Sequence, residues 1–307
     1  MNSGEVVGAK IRELAQHITL VENAGMGSAD LLASLPTPSA HIVGLTGPPG
    51  VGKSTSTSAL ITQLRSEGKT VAVLAVDPSS TFSKGALLGD RIRMQEHARD
   101  SGVFIRSLAT RGHLGGLTGT IYSVLKVISA AGFDVIIIET VGVGQSEIEI
   151  AKMADTSVVI AAPGAGDGIQ AAKAGILEIA DIFTVNKADR PGADATTREL
   201  KGMLSMATSH SGWETPVIPT IATEHSGFIE LGEAISQHYS FLIDQDLLER
   251  KRIGRIRESL LARSMNTLAL RAMSVEAELG LAAQCAAGTV SEDQACDLIH
   301  AVMNGRP

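Results

Sequence analysis

The chain has 307 residues, enough for one large domain with appendages or for two small ones. Its net charge of −7 offers no basic footprint for nucleic acid, and its two cysteines, Cys285 and Cys296, sit in no C-x-x-C pattern, which argues against a disulfide framework. Charged Glu5, Lys10, Arg12 and Glu13 stand where a signal peptide needs an apolar run, and the longest apolar runs are strand-length, so a cytoplasmic chain without a membrane span is expected.

Helical spacing of Val7, Ile11, Leu14, Ile18 and Val21 predicts a helix over 5–24, with a short second one at 28–35. Pro36-Thr37-Pro38 then breaks the chain. Strands are predicted at 41–46, 71–77, 103–108, 134–140, 156–162, 181–186 and 217–222. Helices are predicted near 53–67, 89–100, 117–131, 146–154, 168–179, 194–209 and 226–240. This alternation, with continuous apolar runs such as Val135 to Ile138, implies an α/β fold with a mostly parallel sheet covered on both faces. A charge-rich helical pattern follows over 244–273 and a last helical stretch over 274–304, without strand signals. The expected organisation is an N-terminal helical extension (1–40), a nucleotide-binding domain (41–242) and a C-terminal helical arm (243–307).

Directly after the first strand comes Gly47-Pro48-Pro49-Gly50-Val51-Gly52-Lys53-Ser54, a phosphate-binding loop between a buried strand and a helix start. Its glycines let backbone N–H groups approach phosphate oxygens, and the helix N-terminus adds partial positive charge. Lys53 is the candidate for the β- and γ-phosphates, and the Ser54 hydroxyl for Mg²⁺. Thr55 is a candidate for the α-phosphate, with an ordinary helical threonine as the equal alternative. The loop alone does not choose between ATP and GTP.

Asn186-Lys187-Ala188-Asp189 makes that choice, at the end of the predicted strand 181–186. A carboxylate at Asp189 can accept two hydrogen bonds from guanine N1–H and its exocyclic amine, whereas adenine would leave it unpaired. Asn186 would brace the loop and the Lys187 stem would cover one face of the base. GTP and GDP are the expected nucleotides.

Between these motifs, Val135 to Ile138 run into Glu139-Thr140-Val141-Gly142-Val143-Gly144-Gln145. An acid ending a central strand fits a carboxylate that holds Mg²⁺ through water, and the Gly142 N–H would touch the γ-phosphate. In Ras-like enzymes a glutamine after this glycine orients the attacking water. Val143 cannot do so, and a slow intrinsic rate is expected. Asp77 closes another strand, and Asp90, within Gly89 to Met94, is a further candidate magnesium ligand. Arg91, Arg93 and Arg111 are candidates for neutralising transition-state charge, although a surface ion pair is the plainer reading of each.

Several longer strings resemble the MeaB/ArgK family of GTPases, chaperones of adenosylcobalamin-dependent acyl-CoA mutases. They are Val73 to Ser80, Leu88 to Arg91, Thr110 to Leu117, Glu139 to Glu147 and Pro163 to Asp167, and the resemblance spans roughly residues 5–240. It implies a P-loop GTPase of the SIMIBI class, homodimeric through its C-terminal helices. Such a GTPase gates cofactor loading, most often of methylmalonyl-CoA mutase, and protects or reactivates that enzyme, with a cobalamin adenosyltransferase as a further partner. In the same terms Lys53, Asp77, Asp90, Glu139 and Gly142 would be active-site residues. Asp167, Gln170 and Lys173 would belong to a third switch. Thr220 to Gly227 departs from the family's usual Ser-Ala-x-x-Gly-x-Gly loop, and His113 and Thr118-Gly119-Thr120 depart as well. The alternative is a metallochaperone GTPase for nickel enzymes, which needs a His-rich or Cys-His cluster; here eight histidines are scattered.

Overall fold

The structure, a computed structural model, describes residues 3–77, 95–109, 116–140, 152–164, 176–206 and 212–305. Seven described strands form one parallel sheet: β1 (His41–Thr46), β2 (Val71–Asp77), β3 (Val103–Ala109), β4 (Val135–Thr140), β5 (Thr156–Ala161), β6 (Ile182–Asn186) and β7 (Val217–Thr220). Their order is β3-β2-β4-β1-β5-β6-β7. The chain therefore winds one way from β1 and returns to wind the other, so the order reverses at β1. In such sheets ligands bind beyond the carboxyl ends of the strands at that reversal.

The helices in chain order are α1 (Ser3–Glu22), α2 (Ser28–Ser34), α3 (Lys53–Ser66), α4 (Gly116–Ala130), α5 (Ile176–Ile179), α6 (Ala193–Met206), α7 (Phe228–Asp244), α8 (Leu247–Leu279), α9 (Leu281–Ala286) and α10 (Glu292–Met303). Alternate strand residues feed opposite faces because the strand period is two. Val43, Leu45, Val73 and Ile137 pack with Leu60, Ile61 and Leu64 of α3 and Phe228, Leu231 and Ile235 of α7. On the other face Ile42, Leu74, Ile136 and Ile138 pack with Leu14 and Ile18 of α1 and Ile121, Leu125 and Ile128 of α4. A smaller cluster joins Phe183 and Val185 of β6 to Leu200 of α6.

Several predicted boundaries move, among them the helix at 226–240, which runs Phe228–Asp244. The last strand stops at Thr220, because the next residues form a bridged turn, Ile221 to Ser226, around a 3-10 turn at Ala222–Glu224. Within the stretch predicted as a helix at 89–100, the described part is a 3-10 turn, Gln95–His97. The arm breaks at Gly280, whose left-handed φ of 63° ends α8, rather than at 273.

The foot of the sheet, opposite the phosphate-binding loop, carries a buried polar network. Asp155 is 0% exposed and accepts from Arg255 Nη2 at 2.7 Å, Arg252 Nη2 at 3.1 Å and the Ile42 amide at 3.0 Å. Beside it Thr156 Oγ1 lies 2.8 Å from His41 Nε2 and 2.9 Å from His238 Nδ1, and His238 Nε2 lies 3.2 Å from Asp181. Lys251 Nζ reaches Asp181 Oδ2 at 3.2 Å. These contacts fasten the start of α8 to β1, β5 and α7.

Candidate functional site

The Gly47–Lys53 turn leaves β1 at the reversal point, and Gly47 and Gly52 both need their missing side chains. Gly47 has φ of +146°, and a Cβ there would collide with the Ile160 carbonyl oxygen on neighbouring β5. Gly52 has φ of +98°, and its Cβ would come 2.5 Å from Asn186 Nδ2. The loop thus closes tightly on β5 and on the end of β6. Lys53, 9% exposed, begins α3 and donates to the carbonyls of Gly47 at 2.6 Å and Pro48 at 3.1 Å. An ammonium held over the loop this way can move to phosphate oxygens, which make the stronger charge-assisted bonds. Ser54 is buried beside it, and Thr55 is exposed on the outer side of α3.

Glu139 stands opposite Leu45 in the β1–β4 register, next to the loop. It is 1% exposed, and its Oε1 accepts from Ser54 Oγ at 2.6 Å while Oε2 accepts from Thr57 Oγ1 at 2.8 Å. The set consists of oxygen donors, one hydroxyl and one carboxylate, and this suits a small hard cation such as Mg²⁺.

The Asn186–Asp189 motif is attached to the same loop. Asn186, 2% exposed, donates through Nδ2 to the Val51 carbonyl at 2.8 Å and accepts at Oδ1 from the Ala222 amide at 3.1 Å. Lys187, in a left-handed conformation with φ of 58°, donates to the Gly50 carbonyl at 2.6 Å. Asp189 follows on the exposed side of this loop. The unusual Thr220–Gly227 segment lies alongside: the Ala188 amide donates to the Thr220 carbonyl at 3.0 Å, and the Thr184 and Thr220 hydroxyls are 2.9 Å apart. One asparagine therefore joins the Gly47–Lys53 loop, the Asn186–Asp189 loop and this turn.

Gly47 to Ser54, Glu139 and Asn186 to Asp189 lie together at the carboxyl edge of the sheet. Only the backbone of Asp77, at the end of β2 in the same edge, is described. Asp90, Gly142, Asp167, Gln170 and Lys173 lie outside the described residues, as do Arg91, Arg93, Arg111, Val143 and Gln145. Thr57 was not legible from sequence; a buried threonine one turn after Lys53 reads as ordinary helix. Among the described residues, no helix is long and apolar enough to cross a membrane.

Comparison with known proteins points in one direction. Residues 14–277 match the family described as methylmalonyl Co-A mutase-associated GTPase MeaB. A Pyrococcus abyssi protein named for GTPase activity is 50% identical over 254 residues, covering 81% of this chain and 78% of its own length. The GTPase ArgK of Escherichia coli is 37% identical over 249 residues, covering 78% of this chain and 75% of its own. A crystal structure of an LAO/AO transport system kinase superposes with a TM-score of 0.68 at 26% identity, covering 99% of each chain.

Proposed function

Because this chain belongs to the MeaB family of methylmalonyl-CoA mutase-associated GTPases, we propose that it is a slow, partner-stimulated GTPase that binds an adenosylcobalamin-dependent acyl-CoA mutase, with methylmalonyl-CoA mutase as the first candidate. As a cytoplasmic chaperone it gates cofactor loading and protects or reactivates its client; a cobalamin adenosyltransferase is a second candidate partner. The observation that carries the guanine-nucleotide part is the double hydrogen bond of Asn186, which holds the Asp189 loop against the phosphate loop.

On this reading Asp189 takes the guanine edge, Lys187 covers the ring, and the loop amides with Lys53 bind the phosphates. Ser54 and Glu139, with Asp90, would hold Mg²⁺, which when bound neutralises charge on the β- and γ-phosphates. Gly142 would contact the γ-phosphate, and Val143, standing where Ras-like enzymes have a glutamine, would not orient the attacking water. The chain is then a timer that a partner can accelerate by completing the site. Asp77 would be a further active-site residue, and the segment holding Asp167, Gln170 and Lys173 would carry the nucleotide state to the client.

Residues 243–307 would form a dimerisation arm. Leu261, Met265 and Leu268 of α8 follow i, i+4, i+7 spacing and are 59%, 66% and 55% exposed, an apolar strip suited to a second copy. Phosphate release from the purified chain, alone and with methylmalonyl-CoA mutase, tests the proposal. Turnover far below once per second that rises with the mutase is expected. Fast turnover by the chain alone, or no response to the mutase, refutes it.

A further inference from the structure

Ser54 and Thr57 are i and i+3 on α3, so their hydroxyls line one face and meet the two oxygens of the same carboxylate. Glutamate has one more rotatable bond than aspartate, so contacts at its carboxylate oxygens limit how far the group turns. Ser54 makes one such contact, at Oε1. Thr57 supplies the second point. It is 0% exposed, so its hydroxyl has no access to solvent. The hydroxyl also lies 3.1 Å from the Lys53 carbonyl, against 2.8 Å to Glu139 Oε2, and the shorter contact to the charged acceptor is the stronger.

We propose that Thr57 is a positioning residue for the magnesium site. It restrains the Glu139 carboxylate beside Ser54, where Mg²⁺ would be held, and so sets the metal dependence of nucleotide binding rather than the grip on the nucleotide itself. This rests on reading the loop as a Mg²⁺-dependent GTP site. Outer partners of metal-binding groups typically change metal affinity about 10- to 100-fold.

The test is a titration of the full chain with a fluorescent GDP, first in EDTA and then with increasing Mg²⁺. Thr57→Val keeps the branched shape and removes the hydroxyl, Thr57→Ala is a second hydroxyl-free variant, and Thr57→Ser restores the donor. The expected result is retained nucleotide binding in EDTA for all four proteins. The Mg²⁺ concentration at half-effect should rise about 10-fold or more in Thr57→Val and Thr57→Ala and return toward wild type in Thr57→Ser. Half-effect concentrations unchanged in the hydroxyl-free variants, or a serine no better than valine, overturn the role of Thr57 alone. A wild-type chain that binds guanine nucleotide without any Mg²⁺ dependence, or binds none, overturns the underlying site as well.

Discussion

His41 begins the strand whose other end becomes the phosphate loop, and it is held neutral. Burial pushes its pKa from 6.5 down to about 3, with His238, Lys69 and Arg252 adding to the effect against the opposing pull of Asp155. Its ring stacks on Tyr239 with centroids 4.0 Å apart, and Nε2 meets Thr156 Oγ1 at 2.8 Å. In the unfolded chain the histidine binds its proton below about pH 6.5, whereas the folded one does so only near pH 3. Its contribution to stability is therefore complete above the first value and is lost as pH falls through that window. From pH 7 to pH 5 the unfolded histidine gains about 1.5 pH units of advantage at roughly 1.4 kcal/mol each, a loss of about 2 kcal/mol. This figure holds for any folded value below about 4.

His41→Phe keeps the ring stack and removes the titration. Urea unfolding at pH 7 and pH 5, followed by the fluorescence of Trp213, compares the variant with wild type. Trp213 is the single tryptophan, and its ring lies 4.9 Å from that of His238 in the same network. The wild type should lose about 2 kcal/mol more than the variant over this interval. Equal losses would refute the claim that His41 is buried and neutral.

Exchanging Asp189 for Asn should move preference from GTP toward xanthosine triphosphate by orders of magnitude, read as competition against a fluorescent GDP; unchanged selectivity would show the base site lies elsewhere. Gly52→Ala should abolish nucleotide binding while the fold survives, since its Cβ meets Asn186 Nδ2 at 2.5 Å and φ is +98°; wild-type affinity would contradict the tight closure. Arg255→Met should lower unfolding free energy by about 3 kcal/mol, because Asp155 stays buried with Arg252 as its remaining ion-pair partner. A change below about 0.5 kcal/mol would mark Arg255 as a bystander. Asp155 is subject to burial that raises its pKa, but Arg255 and Arg252 outweigh that and hold it below the usual carboxylate range. Its contribution should therefore be present above about pH 4 and fade as pH drops further.

What was legible in the chain was local. Gly47 to Ser54 and Asn186 to Asp189 are short, dense in constrained residue types, and each follows an apolar run, so pattern and position agree. Val135 to Ile138 announced a central strand by composition alone. The foot of the sheet was invisible for the opposite reason: Asp155 meets Arg252 and Arg255 across about one hundred positions, and in sequence those arginines show only a charge-rich helical pattern that names no partner. Pairing of that kind is decided by how α8 packs, not by any local preference. The early end of β7 was hidden likewise, since the Ala222 amide turns to Asn186 instead of extending the strand.

Binding of this chain to a purified adenosylcobalamin-dependent acyl-CoA mutase, measured by calorimetry with GDP and with a non-hydrolysable GTP analogue, tests the proposed role most directly. Association whose affinity changes between the two nucleotides is expected. No binding to methylmalonyl-CoA mutase or a related acyl-CoA mutase, or binding indifferent to nucleotide, would contradict it.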